Sequence, residues 1–245
     1  MNRDKHIASA FDRDLETAQA LVVKMGGLVE QAIIDAAAAL ETRDAELAEE
    51  VRLRDRNIDA LDQQINEEAA RLIALRAPTA TDLRLVLSVI KISASLERVG
   101  DYAKNISKRS NVLLAMNQVN GSAAALRRMA GTAEAMLKDA LDSYIRRDVQ
   151  LAADVRARDI EVDQMYNALF REFLTYMMED PRNITACMHL HFIAKNIERM
   201  GDHATTIAEQ VIYLVTGEAP DESRPKSDSV TKAGVAETLN HQSQE

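Results

Sequence analysis

The sequence predicts an all-α protein made of two similar halves, each of three long helices. Three observations carry that prediction. A decapeptide occurs twice: Glu97-Arg98-Val99-Gly100-Asp101-Tyr102-Ala103-Lys104-Asn105-Ile106 returns 101 positions later as Glu198-Arg199-Met200-Gly201-Asp202-His203-Ala204-Thr205-Thr206-Ile207, with six of ten positions identical. A second match, offset by 104, pairs residues 51–59 with residues 155–163. Finally, 8 Gly and 4 Pro in 245 residues leave little turn punctuation, while 47% of the chain is hydrophobic. Few breakers and long apolar periods favour a few long helices over many short strands.

The elements follow in order. From 11 to 40, apolar residues recur at helical spacing: Phe11, Leu15, Ala18, Leu21, Val22, Met25, Val29, Ile33, Ala36 and Leu40. Gly26 and Gly27 interrupt this stripe, and mid-helix Gly costs on the order of 1 kcal/mol relative to Ala. A kink or a close helix-helix approach accounts for the pair. A second helix runs from about 44 to 75 and ends before Pro78, because the residue preceding a proline avoids helical backbone. Thr79 or Thr81 caps a third helix reaching about 116, with Asp82 in its first turn. After a connector over 117–122, helices are expected at about 123–145 and 149–178. Asp180-Pro181 breaks the pattern, and a last helix follows to about 215. Met25, Asp35, Arg43, Asp44, Leu47 and Ala48 find identical residues at Met129, Asp139, Arg147, Asp148, Leu151 and Ala152, so the repeat spans all three helices. These boundaries divide the chain into 1–117, 118–217 and a polar tail over 218–245. The tail has too little apolar surface to offset its ordering entropy.

Charge and cysteine content narrow the function classes. A formal net charge of -9 argues against a nucleic-acid binder that works through a general basic surface. The single cysteine, Cys187, has no partner for an internal disulfide, and a reducing cytoplasm is the simplest setting. With no apolar run of membrane-spanning length, no direct membrane insertion is expected.

The chemistry lies in paired acids. Residues four apart share a helix face, so Asp55 with Asp59, Glu97 with Asp101, Asp159 with Asp163, and Glu198 with Asp202 each set two carboxylates side by side. If the second and third helices of a half pack with these faces together, four carboxylates converge and need protons, basic partners or cations. Carboxylate oxygens are hard ligands suited to Mg, Mn, Ca or Fe, and usable by Zn. Gly100 and Gly201, between the acids, leave room for a neighbouring helix or an ion. Asn105 continues its face one turn on; its counterpart is Thr206. The blander alternative is that Arg54, Arg56, Arg98, Arg158 and Arg199 neutralise these acids at the surface. His191 is expected to pack rather than ligate, His203 matches Tyr102 as a packing or contact position, and Cys187 reads as a small core residue.

At these motifs the chain resembles the PhoU family. The resemblance rests on LERVGDYAKNI and IERMGDHATTIAE, with APTATDLRLVLSVIKIS and FDRDLETAQALVVKMGGLVEQAI upstream, and covers about residues 5–216. It implies a tandem repeat of two three-helix bundles related by pseudo-two-fold symmetry, in homodimers or larger assemblies. It also implies Glu/Asp-x-x-x-Asp motifs holding iron, zinc, manganese or magnesium, carried here by Glu97, Asp101, Glu198 and Asp202, then Asp55, Asp59, Asp159 and Asp163. The implied role is non-enzymatic: linking a phosphate ABC transporter, through its ATPase subunit, to a sensor histidine kinase. Such a protein represses the phosphate-starvation response and restrains uptake when phosphate is plentiful. Two alternatives stand beside it, a ferritin-like di-metal carboxylate enzyme and a metal-free helical scaffold. Ferritin-like sites use Glu-x-x-His, and no Glu here has a His three residues later.

Overall fold

The computed structural model describes residues 2–220, and these form six α-helices: α1 (Asn2–Thr42), α2 (Ala45–Arg76), α3 (Ala80–Leu113), α4 (Ser122–Arg146), α5 (Val149–Glu179) and α6 (Ile184–Thr216). A short 3-10 turn, Pro181–Asn183, leads into α6. The tail expected over 218–245 lies outside the described residues beyond 220. The fold is the expected all-α repeat. Helices α1, α2 and α3 pack mutually, as do α4, α5 and α6, and the two bundles join through α1 against α4 and α3 against α6.

The corners repeat with the sequence. Arg43 and Arg147 both adopt left-handed backbone with φ 56°, closing α1 and α4. The next residue then caps the following helix. Asp44 accepts from the Leu47 amide, and Asp148 from the amides of Gln150 and Leu151. An Asp N-cap contributes about 1 kcal/mol. Helix α3 stops at Leu113, short of the expected 116. There the chain tightens into i→i+3 bonds, and the Arg43 guanidinium donates to the carbonyls of Leu114 (2.6 Å) and Met116 (3.4 Å). These partners satisfy carbonyls that a helix end leaves open. Helix α1 begins earlier than the stripe predicts, because no Gly or Pro interrupts residues 2–10.

Every stripe residue of α1 is buried except Leu21, which packs half-buried against the core. Gly26 marks a close approach: a Cβ there would lie 2.5 Å from Leu141 Cδ1 of α4, whereas one at Gly27 would meet nothing within 4 Å. Helix α1 therefore runs through the glycine pair, and only Gly26 is demanded by packing.

Helices α3 and α6 cross antiparallel. Arg84 lies over the ring of Tyr213 near one end, and Arg109 over the ring of Phe192 towards the other. Between them Tyr102 meets His203, ring centroids 5.7 Å apart. These two residues are equivalents under the repeat, and equivalents that touch one another must lie on the symmetry axis. The pseudo-two-fold axis thus passes between Tyr102 and His203, with an acidic motif on either side.

Candidate metal centre

Helix α2 supplies Asp55 and Asp59, and α3 supplies Glu97 and Asp101. Helices α5 and α6 supply Asp159, Asp163, Glu198 and Asp202. Asp55 and Asp159 are buried, at 3% and 8% exposure, because each lies against a glycine. A Cβ at Gly100 would stand 3.0 Å from Ile58 Cδ1 and 3.6 Å from Asp55 Oδ1, and one at Gly201 would stand 3.3 Å from Asp159 Oδ1. The motif glycines let the facing helix bring its carboxylate against the backbone.

The acidic faces meet. Burial raises the Asp59 carboxyl above its usual range, and Asp55, Asp101 and Asp62 raise it further, against Lys104. Glu97 is raised by burial, then by Asp101, with smaller contributions from Asp62 and Asp59. In the second repeat burial raises Glu198, Lys195 opposes, and Asp202 and Asp163 add to the rise. Carboxylates on both helices of each bundle therefore feel one another, as the four-apart spacing requires if the faces pack together.

The neutralising cations are not those the sequence offered first. Arg54 turns away to Asp35 (2.9 Å), and its repeat counterpart Arg158 turns to Asp139. Arg98 reaches the motif, at 3.6 Å from Glu97 and 3.8 Å from Asp101. Two lysines reach the motifs as well. Lys104 Nζ forms an ion pair with Asp55 Oδ2 and lies 3.4 Å from Asp101 Oδ1. Lys195 Nζ lies 2.6 Å from Glu198 Oε1. Both were readable as i,i+3 partners of a motif acid. Asp62 was missed too: it extends the α2 face one turn beyond Asp59 and accepts a 2.6 Å hydrogen bond from Ser93.

The repeats are not equivalent. Thr205 stands where the first repeat has Lys104, and its hydroxyl donates to the Gly201 carbonyl (2.9 Å). Tyr166 stands where the first has Asp62. The first site thus carries its own ammonium inside the acidic face; the second has its lysine at one edge, beside Glu198.

Among the described residues, no three carboxylate, imidazole or thiolate groups stand in ligating geometry about one point. The donor chemistry nonetheless fits a hard cation. Asp55 Oδ1 and Glu198 Oε2 are buried oxygens without a hydrogen-bond donor, and orphaned buried acceptors are costly. Asp55, Asp59, Glu97 and Asp101 are the residues that would hold an ion in one repeat, and Asp159, Asp163, Glu198 and Asp202 in the other. His191 packs among Tyr166, Phe170 and Phe192, and burial lowers its pKa, which suits a neutral packing residue. Cys187 is buried, as its core reading required.

The PhoU domain matches this chain twice, over residues 22–110 and 126–211. The chain belongs to the PhoU family. Among PhoU relatives, the "Phosphate-specific transport system accessory protein PhoU homolog" of Caulobacter vibrioides is 46% identical over 93% of this chain and 99% of that protein. The protein of the same name from Rhizobium meliloti is 47% identical, covering 94% and 97%. The crystal structure of PhoU from Pseudomonas aeruginosa superposes with a TM-score of 0.82 at 39% identity, covering 85% of this chain and all of that one. The Streptococcus pneumoniae phosphate transport system regulatory protein PhoU gives 0.80 at 31%, covering 86% and 99%. Both copies of the acidic motif lie inside the matched PhoU segments.

Proposed function

We propose that this PhoU-family chain is a non-enzymatic accessory protein of a phosphate-specific transport system. In this reading it restrains phosphate uptake and represses the phosphate-starvation response when phosphate is plentiful, linking the transporter's ATPase subunit to a sensor histidine kinase. The observation that carries the reading is the likeness, over nearly the whole chain, to relatives that bear the accessory-protein name. No described helix is long and apolar enough to cross a membrane, so contact with a transporter runs through protein surfaces. The acidic motifs act as cation sites that neutralise converging carboxylates and fix α2 on α3 and α5 on α6. A bound ion supplies charge compensation; the protein side supplies carboxylate donors and the glycine gaps that admit them.

Removing the chain from its source cell tests the role. The starvation response should then run in high phosphate, and uptake should rise. A pull-down from the same cells with the transporter's ATPase subunit should retain the chain. Normal repression in its absence would overturn the assignment. A metal-free scaffold stands as a second reading for the first repeat, because Lys104 already places an ammonium between Asp55 and Asp101.

A further inference from the structure

One recess breaks both the charge and the symmetry of the molecule. Between α3 and α6, on one side of the Tyr102–His203 axis, lies a cavity of about 470 Å³. Four cations line it, Lys108 and Arg109 from α3 and Lys195 and Arg199 from α6, together with the amides of Asn105 and Asn196. No acid is among its lining residues, although the whole chain carries a net charge of -9. Duplication would put a matching set across the axis. At the repeat offset of 101, however, Lys108 and Arg109 become Glu209 and Gln210, Lys195 becomes Ala94, and only Arg199 keeps its charge, as Arg98. The cations are specific to one side.

They are also braced. The Arg109 guanidinium stacks 4.3 Å from the Phe192 ring centroid, with Nη1 3.4 Å from His189 Nδ1. Lys195 stands 5.1 Å from the Tyr166 ring and is held by Glu198. Stacking fixes the plane of a guanidinium fork while leaving N–H donors to a ligand, and so lowers the entropy of binding an oxyanion. The charges come from both walls of a recess of ligand size, α3 and α6, instead of lying along one helix as a stripe. We propose that this recess is a binding site for a small phosphate-bearing anion, held by Arg109, Arg199, Lys108 and Lys195 with the two asparagine amides. The site does not rest on the regulatory role proposed above, nor on metal at the acidic motifs. Its ligand is free phosphate or a short polyphosphate, which share the tetrahedral oxyanion that two arginine forks match.

Isothermal titration of the full chain with sodium phosphate, and separately with tripolyphosphate, tests it. Each titration is run on protein as purified and after chelator treatment. Heat of binding is expected with at least one anion and should survive chelation; which anion binds identifies the source. Arg109→Gln and Arg199→Gln should each weaken binding about tenfold or more, the effect of losing a charge-assisted hydrogen bond. Lys91→Gln, at a position on the opposite side of the axis, should leave it unchanged. Arg199 is exposed, so its variant keeps the fold even if Arg109→Gln loosens Phe192. No heat with either anion overturns the proposal. So does binding that disappears on chelation, or wild-type affinity in both arginine variants.

Discussion

Replacing Lys104 by Met removes the cation that faces Asp55. The Asp55 side chain is 3% exposed and that of Lys104 27%, so the carboxylate stays buried while its partner is lost. Breaking a fully buried ion pair costs about 3–5 kcal/mol. Because water reaches the Lys104 end, about 2–3 kcal/mol is the better figure here. At about 2–4 °C per kcal/mol for a chain of this size, the melting temperature of chelator-treated protein should fall by about 5–10 °C. Scanning calorimetry measures it. Adding Asp55→Asn to Lys104→Met should return most of the loss, since replacing both partners leaves no uncompensated charge. Manganese should stabilise the single variant more than the wild type, because an ion then takes the place of the ammonium. A fall of less than about 2 °C, with no rescue by the second substitution, would mean that Lys104 does not compensate a buried Asp55 charge.

The adjacent glycines of α1 should respond with opposite signs. Gly27→Ala meets open space and should stabilise by up to about 1 kcal/mol, whereas Gly26→Ala drives a Cβ into buried Leu141 and should destabilise by about 1–2 kcal/mol in urea titration. Glu198→Gln should raise the melting temperature of metal-free protein at neutral pH. The fold raises this carboxyl above its ordinary value of 4.5, so the ionised form is the disfavoured one. The stability this group contributes is therefore full below 4.5 and lost as pH rises through the raised value, and the gain from Gln should vanish in acid. A gain that persists unchanged below 4.5 would show that ionisation is not its cause.

Much of this was legible in the sequence because the chain states it twice. Residues identical at the offset of 104 recur as structure: Arg43 and Arg147 as left-handed corners, Asp44 and Asp148 as caps. The pairing of Arg54 with Asp35 likewise returns as Arg158 with Asp139. The four-apart acids announced a shared face, and the motif glycines announced the close approach that buries Asp55 and Asp159. The sequence offers several cations within reach of those acids and does not choose among them. Arg54 and Lys104 are both within reach on paper, and only the packing of α2 between α1 and α3 sends one outward and the other inward. The recess between α3 and α6 was hidden for a related reason. Its cations come from segments 101 apart in register but antiparallel in space, so no local window shows them together.

Whether the acidic motifs hold cations is decided by elemental analysis of the freshly purified full chain. Bound iron, zinc, manganese or magnesium is expected in the wild type, with a reduced content in Asp202→Ala, helicity retained, and a further drop when Asp101→Ala is added. Wild-type protein without metal, unshifted in melting when any of the four ions is supplied, would mean that the motifs are not cation sites. An unreduced metal content in the double variant would do the same.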